Sequence, residues 1–414
     1  LEFSRLHSPT CHPRPRSIQQ SSSRLQEQAK TWSKLNHVRY DAEDRLIGWD
    51  RSDASLEQSW DLSPVGDWNS ITENASVQNR THGPVHEILT ASGQAVQHDP
   101  KGNMTLIPPA LRPGSDPLKL KWDFDNRLRA ADTDDSGTDD VFYRWDALGR
   151  RVGRDDGTGH TIYFQDGQQT LADYTAGTAA GSPSYTYMYA SYIDEVVLRS
   201  GGSGLRYYHR NQQYSITALT DGGGTVVERY AYTAYGQVTF ADASGTVQTA
   251  SASNNRYMYT GREWDEGLSL YHYRARMYDA VAGRFCSRDP IEYKGSPWNL
   301  YQYVHGKPCD HLDPTGLTTL IGCLKSPGLM AVCISTGCVK LVNLTKKFCT
   351  DKNNGDALIK QITKWGGAIV KKGGKGSHTK IKTPWGKVET IPQDAGKGLC
   401  NRIVKDMFEW AKNQ

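Results

Sequence analysis

The sequence predicts a mainly β chain followed by a small α+β unit of order α-β-β-β-α. Three observations carry this. A short phrase built on an aromatic residue and Asp recurs along residues 37–317. Gly (40 residues) and Tyr plus Trp (22 and 11) are abundant while hydrophobic residues make up only 37%, which suits many short strands and tight turns better than a large helical core. Beyond residue 317 both the charge balance and the apolar period change.

Residues 1–36 are rich in Ser, Gln, Arg and Pro and show no sustained apolar period, so they read as disordered or as an end set by where the chain was cut. The chain starts at Leu1, with no basic-then-apolar leader, and reads as a fragment or a processed piece. No apolar run reaches the roughly 18 residues of a membrane span.

The recurring phrase is an aromatic or His, then Asp, a turn, and Asn or Arg before an apolar residue. Copies start at Tyr40-Asp41, Trp60-Asp61, His98-Asp99, Trp122-Asp123 and Trp145-Asp146. Asp before a turn can bond the backbone two residues on, and Gly or Asn supplies the positive φ. Flanking alternation, as in Tyr143-Arg144-Trp145 and Arg229 to Val238, marks half-buried strands. The spacing is too irregular for a WD40 propeller. His160, His209, His272 and His311 fall in these hairpins and read as structural.

This pattern resembles the YD repeat of the Rhs family. The stretch from Tyr257 to Leu317 resembles the Rhs-associated core, through Tyr257-Met258-Tyr259-Thr260-Gly261-Arg262-Glu263-Trp264-Asp265, Tyr271-His272-Tyr273-Arg274-Ala275-Arg276-Met277-Tyr278-Asp279 and Gly283-Arg284-Phe285-Cys286-Ser287-Arg288-Asp289-Pro290. It departs at Asp279-Ala280, where the family usually has Asp-Pro, and holds too few repeats to close a shell. The resemblance implies a segment of a β shell, residues 37–317, that encloses a C-terminal toxin. The family's boundary motif, Pro-x4-Asp-Pro-x-Gly-Leu, is matched from Pro308 through Asp313-Pro314-Thr315-Gly316-Leu317. By resemblance, the shell cuts itself between Leu317 and Thr318 with a pair of carboxylates, Asp313 and Asp289, and Arg288 beside them keeps one partner ionised. Two close carboxylates share a proton, which suits one to activate water and the other to protonate the leaving group. Asp310 is a weaker third candidate, and an Asp-Pro turn with no chemistry is the bland alternative.

Residues 318–414 hold 17 basic and 6 acidic residues, a net charge of +11, whereas residues 1–317 hold 32 and 39, or −7. A basic tail on an acidic body suits contact with a polyanion or a solvated Lys-rich surface. Residues 318–354 read as a linker or the start of the toxin. Four of the eight cysteines fall between Cys323 and Cys349; three of them sit in apolar surroundings, so they read as buried thiols more readily than as a local disulfide. No C-x-x-C pair exists, so a zinc ribbon or finger is not supported; no metal or cofactor is expected.

From residue 355 the order is a helix over 356–365, strands near Ala368–Lys371, Thr379–Thr383 and Lys387–Pro392, and a helix over 399–410. This unit resembles the HicA family of mRNA interferases, of double-stranded-RNA-binding-domain-like fold, through Gly366-Gly367, Gly376-Ser377-His378-Thr379-Lys380-Ile381, Thr390-Ile391-Pro392 and Gly396-Lys397. It departs at Trp365 and in the Trp385-Gly386 turn. The resemblance implies a metal-independent endoribonuclease whose catalytic residue is His378. His suits removal of a 2′-OH proton near neutral pH. Ser377 would orient the ring or the phosphate, and Lys371, Lys372, Lys375 and Lys380 would hold RNA and steady charge on phosphorus. The partners implied are an RNA substrate, an immunity or antitoxin protein such as a HicB-like one, and delivery machinery that carries a secreted or surface-displayed protein to a target-cell cytoplasm. The alternative is a YD-repeat scaffold or adhesin with a non-catalytic nucleic-acid-binding tail.

Overall fold

The computed structural model describes residues 37–51, 55–202, 204–296 and 298–317, with the strand backbones at Leu320–Ile321, Cys333–Ile334, Gly337–Cys338, Ala368–Lys371, Thr379–Lys382 and Val388–Ile391. Two compact units divide between Cys323 and Leu324.

In the first unit the strands run in chain order as antiparallel meanders. A seven-stranded sheet extends from His37–Tyr40 to Gln94–Ala95, and a fifteen-stranded sheet from Gln97–His98 to Val247–Gln248. Among the described residues the helical elements are short 3-10 turns, and none is long and apolar enough to cross a membrane.

The repeat has one local cause. Asp123 Oδ1 accepts from the amides of Asp125 and Arg127, at 2.9 Å each, while its Oδ2 takes Arg127 Nε at 2.7 Å. Asp146 does the same to Leu148 and Arg150. The residue three after the Asp is left-handed: Asn126 has φ 60° and Gly149 φ 74°. That explains the Gly or Asn of the phrase. The strand register slips at the preceding aromatic, between Lys121 and Trp122 and between Arg144 and Trp145, which marks a bulge. The freed indole then bonds the previous hairpin: Trp122 Nε1 donates to the Met104 carbonyl at 2.7 Å and Trp145 Nε1 to the Leu128 carbonyl at 2.8 Å. Tyr189 and Tyr232 donate likewise to the Thr170 and Ile216 carbonyls. The copy at Trp60-Asp61 differs, because its turn is capped two residues on by Ser63 Oγ, which accepts from the Asp67 amide at 3.0 Å.

Residues 257–317 pack against the meanders as a dense plug around a four-stranded sheet, Glu263–Asp265, Leu270–Tyr273, Arg276–Asp279 and Arg284–Phe285. Tyr271, Tyr273, Tyr278, Phe285, Tyr301 and Tyr303 are fully buried there. Buried phenols need partners. Tyr271 and Tyr278 donate to the carbonyls of Gly236 and Tyr235, at 2.8 Å each, and Tyr301 to that of Gly102 at 2.8 Å. Buried ion pairs add further ties: Arg262 to Asp194, Arg154 to Asp265 and Arg284 to Asp67.

In the second unit Ala368–Lys371, Thr379–Lys382 and Val388–Ile391 form a three-stranded antiparallel sheet in chain order. The two helices expected to flank it lie outside the described residues.

Candidate active site at the 313–317 turn

The matched boundary motif folds into a turn. Asp313 Oδ1 accepts from the amides of Thr315 (3.2 Å), Gly316 (2.8 Å) and Leu317 (3.2 Å) and from Thr315 Oγ1 (3.3 Å). Gly316 has φ 72°, and a Cβ there would stand 2.3 Å from the Tyr273 carbonyl oxygen, so both conformation and space require glycine. The Thr315 carbonyl accepts from the Ala275 amide at 3.2 Å, and Arg274 reaches the Pro314 carbonyl. On the far side, Leu320–Ile321 pairs antiparallel with His311–Leu312, Leu312 opposite Leu320. Described backbone thus flanks the Leu317–Thr318 bond on both sides. Thr318 itself lies outside the described residues.

Asp289 comes to this turn from the loop after the plug's last strand. Its amide bonds the Leu300 carbonyl at 2.9 Å, and its Oδ1 accepts from the Ile291 amide at 3.0 Å. Its Oδ2 meets Gly295. A Cβ added to Gly295 would lie 2.3 Å from Asp289 Oδ2 and 2.9 Å from the Leu317 carbonyl oxygen. The φ of Gly295 is −81°, which any residue adopts, so the glycine supplies space rather than conformation. Asp289 and the carbonyl of the expected scissile bond thus crowd one empty side-chain position.

Arg276 joins the groups. Its Nη2 lies 3.0 Å from Asp289 Oδ2 and 3.8 Å from Asp313 Oδ2, its Nη1 donates to the Leu300 carbonyl at 3.1 Å, and its Nε donates to the Gly316 carbonyl. The guanidinium stacks over Phe285 at 3.6 Å from the ring centre. Asp289, Asp313 and Arg276 are all buried. Burial is the main cause that raises the Asp289 pKa, to about 6; Arg276 opposes it and the neighbouring Asp313 charge adds to it. Burial also lowers the pKa of Arg276.

The structure thus brings Asp289, Asp313 and Leu317 together. Arg288, expected beside the pair, turns away: its guanidinium meets Glu87 and the Tyr301 hydroxyl. A neighbour in sequence alternates to another face, and the cation at the carboxylates is Arg276, thirteen residues before Asp289 and two after another arginine, Arg274, so that sequence spacing alone does not single it out. Asp310 lies with the Tyr40 hydroxyl, at 3.2 Å from Oδ2. His272 is buried, which pushes its pKa well down, and its Nε2 lies 3.1 Å from the Arg274 carbonyl. Among the described residues no cluster of His, Cys, Asp and Glu suits a metal ion.

In the tail, Lys371 and Lys380 stand opposite one another on neighbouring strands. His378, Ser377, Lys372 and Lys375 lie outside the described residues.

Together these features define a repeat-built β protein whose last described turn is held against a buried Asp–Arg–Asp centre. No family model matches the chain. It is 28% identical over 262 residues to the tRNA3(Ser)-specific nuclease WapA of Bacillus spizizenii, covering 62% of this chain and 10% of that protein. It is 24% identical over 308 residues to double-stranded DNA deaminase toxin A of Burkholderia cenocepacia, covering 67% and 20%. Over 241 residues it is 28% identical to the probable deoxyribonuclease RhsB of Dickeya dadantii, covering 55% and 16%. The chain is thus a homologue of Rhs- and WapA-type nuclease and toxin proteins, and it spans a fifth or less of the length of these relatives.

Proposed function

We propose that this chain is the C-terminal part of an Rhs-type polymorphic toxin, whose β body cuts itself between Leu317 and Thr318 to free an RNA-cleaving tail. The observation that carries the reading is the shared position of Asp289 Oδ2 and the Leu317 carbonyl oxygen at Gly295. In the cut, water adds to the Leu317 carbonyl carbon and the C–N bond to residue 318 breaks. One water proton passes to the leaving nitrogen as the bond breaks and the other follows when the new acid ionises, giving a carboxylate on Leu317 and an ammonium on residue 318. A buried carboxyl beside the carbonyl serves that proton transfer.

The names of the relatives span RNA and DNA, so the choice of RNA rests on the tail. Residues 318–414 carry a net charge of +11, and in the sequence the Gly376-Ser377-His378 run directly precedes the strand Thr379–Lys382 among several Lys residues. His378 takes the 2′-OH proton, the 2′ oxygen attacks phosphorus, and the bond to the 5′ oxygen breaks. DNA lacks that nucleophile. Such a toxin requires delivery into a target cell and an immunity protein in the cell that makes it.

Purified full-length chain tests the reading. A 97-residue C-terminal fragment by intact mass, absent from Asp289→Asn, is the expected result. A wild-type chain that stays whole after prolonged incubation would overturn it.

A further inference from the structure

We infer, on the reading that the chain cuts itself after Leu317, that its two carboxylates are not equivalent: Asp313 is a positioning residue that shapes the scissile turn, and Asp289 alone exchanges protons with the reacting atoms.

The hydrogen bonds divide the roles. Four donors, the amides of Thr315, Gly316 and Leu317 and the hydroxyl of Thr315, converge on Oδ1 of Asp313. That oxygen has about two lone pairs to share among them, so its acceptor capacity is spent on the turn. The Leu317 amide in this set belongs to the residue whose carbonyl is cut. Asp313 therefore sets the direction of that carbonyl through its own chain, four residues away. Its other oxygen lies 3.8 Å from Arg276 Nη2.

Asp289 is arranged differently. One oxygen holds the Ile291 amide at 3.0 Å, and the other takes a single contact from Arg276 and faces the Gly295 space that the Leu317 carbonyl oxygen also borders. A protonated Asp289 at that place donates to the carbonyl oxygen as water adds to the carbon. The resulting carboxylate takes a proton from the added water, passes it to the nitrogen as the C–N bond breaks, and then recovers a proton from a hydroxyl on the former carbonyl carbon, which leaves as the Leu317 carboxylic acid. Asp289 ends as it began, and atoms and charge balance without a proton on Asp313.

The two roles differ in what an amide side chain can replace. Asn at 313 keeps an oxygen that accepts the same backbone amides; Asn at 289 cannot shuttle a proton. Full-length Asp313→Asn should cut within about tenfold of the wild-type rate, and Asp289→Asn should lose about 10²–10⁴-fold. Asp313→Ala should cut slowly, and in its uncut chain the Gly316 and Leu317 amides should exchange with solvent faster than in Asp289→Asn. Loss of the Asp313 charge should also move the falling limb of the cleavage–pH profile, above about pH 6, to lower pH, since that charge disfavours ionisation of Asp289. Loss of activity in Asp313→Asn with these amides exposed supports positioning. Loss as deep as in Asp289→Asn, with the amides still protected, makes Asp313 a reacting group and overturns the division. Undiminished cutting by Asp289→Asn would remove Asp289 from the chemistry and also overturn the division, whereas failure of the self-cleavage reading itself shows as a wild-type chain that stays whole.

Discussion

Arg276 Nη2 stands 3.0 Å from Asp289 Oδ2, both side chains buried, and the same guanidinium bonds the Gly316 carbonyl one peptide before the expected cut. A cation so placed steadies the carboxylate and fixes the 313–317 turn at once. Arg276→Met should lower self-cleavage by about 10²-fold or more, the scale seen when one preorganised donor is removed. It should also lower stability by about 3–5 kcal/mol, because a buried carboxylate loses its partner. The double variant Arg276→Met, Asp289→Asn removes both charges and should recover much of the stability and none of the cutting. Urea unfolding with fragment quantification reads both. A single variant as stable as wild type would contradict the buried-pair argument.

The pH dependence has a definite sign. Asp289 is raised to about 6 in the folded chain, above the ordinary carboxylate range near 4. The folded state therefore holds this proton more tightly than the unfolded one. The stability it contributes is fully present below about pH 4 and is lost as pH rises through about 6. If the protonated form starts the reaction, the cleavage rate should be level below about pH 6 and fall by about tenfold per unit above it. Timed digestion between pH 4.5 and 8 measures this. A rate that climbs through pH 6 would make the carboxylate, not the acid, the form that reacts.

The sequence announced the meander because each hairpin is a local event. Asp123, Asn126 and Arg127 make their turn within five residues, so the phrase is legible wherever it occurs. The boundary motif was legible for the same reason, since Asp313, Gly316 and Leu317 bond one another. Arg276 was not. Its place depends on which face of a plug strand meets the loop carrying Asp289, a tertiary fact that leaves no mark on spacing. Arg288 misled for the converse reason: adjacency in sequence is not adjacency on an extended chain, where successive side chains diverge. Trp60-Asp61 shows a similar limit, since Ser63 rather than Asp61 caps that turn.

Gly295 and Gly316 separate two uses of glycine. At Gly295 the backbone is ordinary, and only the space is needed. Gly295→Ala should fold with a cost of about 1–3 kcal/mol for overpacking, yet cut at least about 10²-fold more slowly, because the methyl group displaces Asp289 or the Leu317 carbonyl. At Gly316 the left-handed backbone and the Tyr273 carbonyl both exclude a Cβ, so Gly316→Ala should disturb the turn itself. Amide exchange at Leu317 should be unchanged in the first variant and faster in the second. Wild-type cutting by Gly295→Ala would show that the crowded position plays no part in the reaction.

The tail makes the last prediction. Lys371 and Lys380 lie opposite each other at the sheet strands that flank the Gly376-Ser377-His378 run, and residues 318–414 carry +11 overall. Each Lys that meets a phosphate releases counterions, so RNA affinity should fall steeply with salt. The full-length chain, allowed to cut itself, should degrade single-stranded RNA in excess EDTA and leave matched DNA intact, because DNA lacks the 2′-OH that the proposed reaction uses as nucleophile. His378→Ala should lose about 10²–10⁴-fold of that rate while most RNA binding survives on the Lys residues. Lys380→Ala should weaken binding and rate together, and flatten the salt dependence. Self-cleavage should be untouched in both variants, which separates failure of the tail from failure of its release. DNA cut as fast as RNA, or full activity in His378→Ala, would rule out the 2′-OH mechanism.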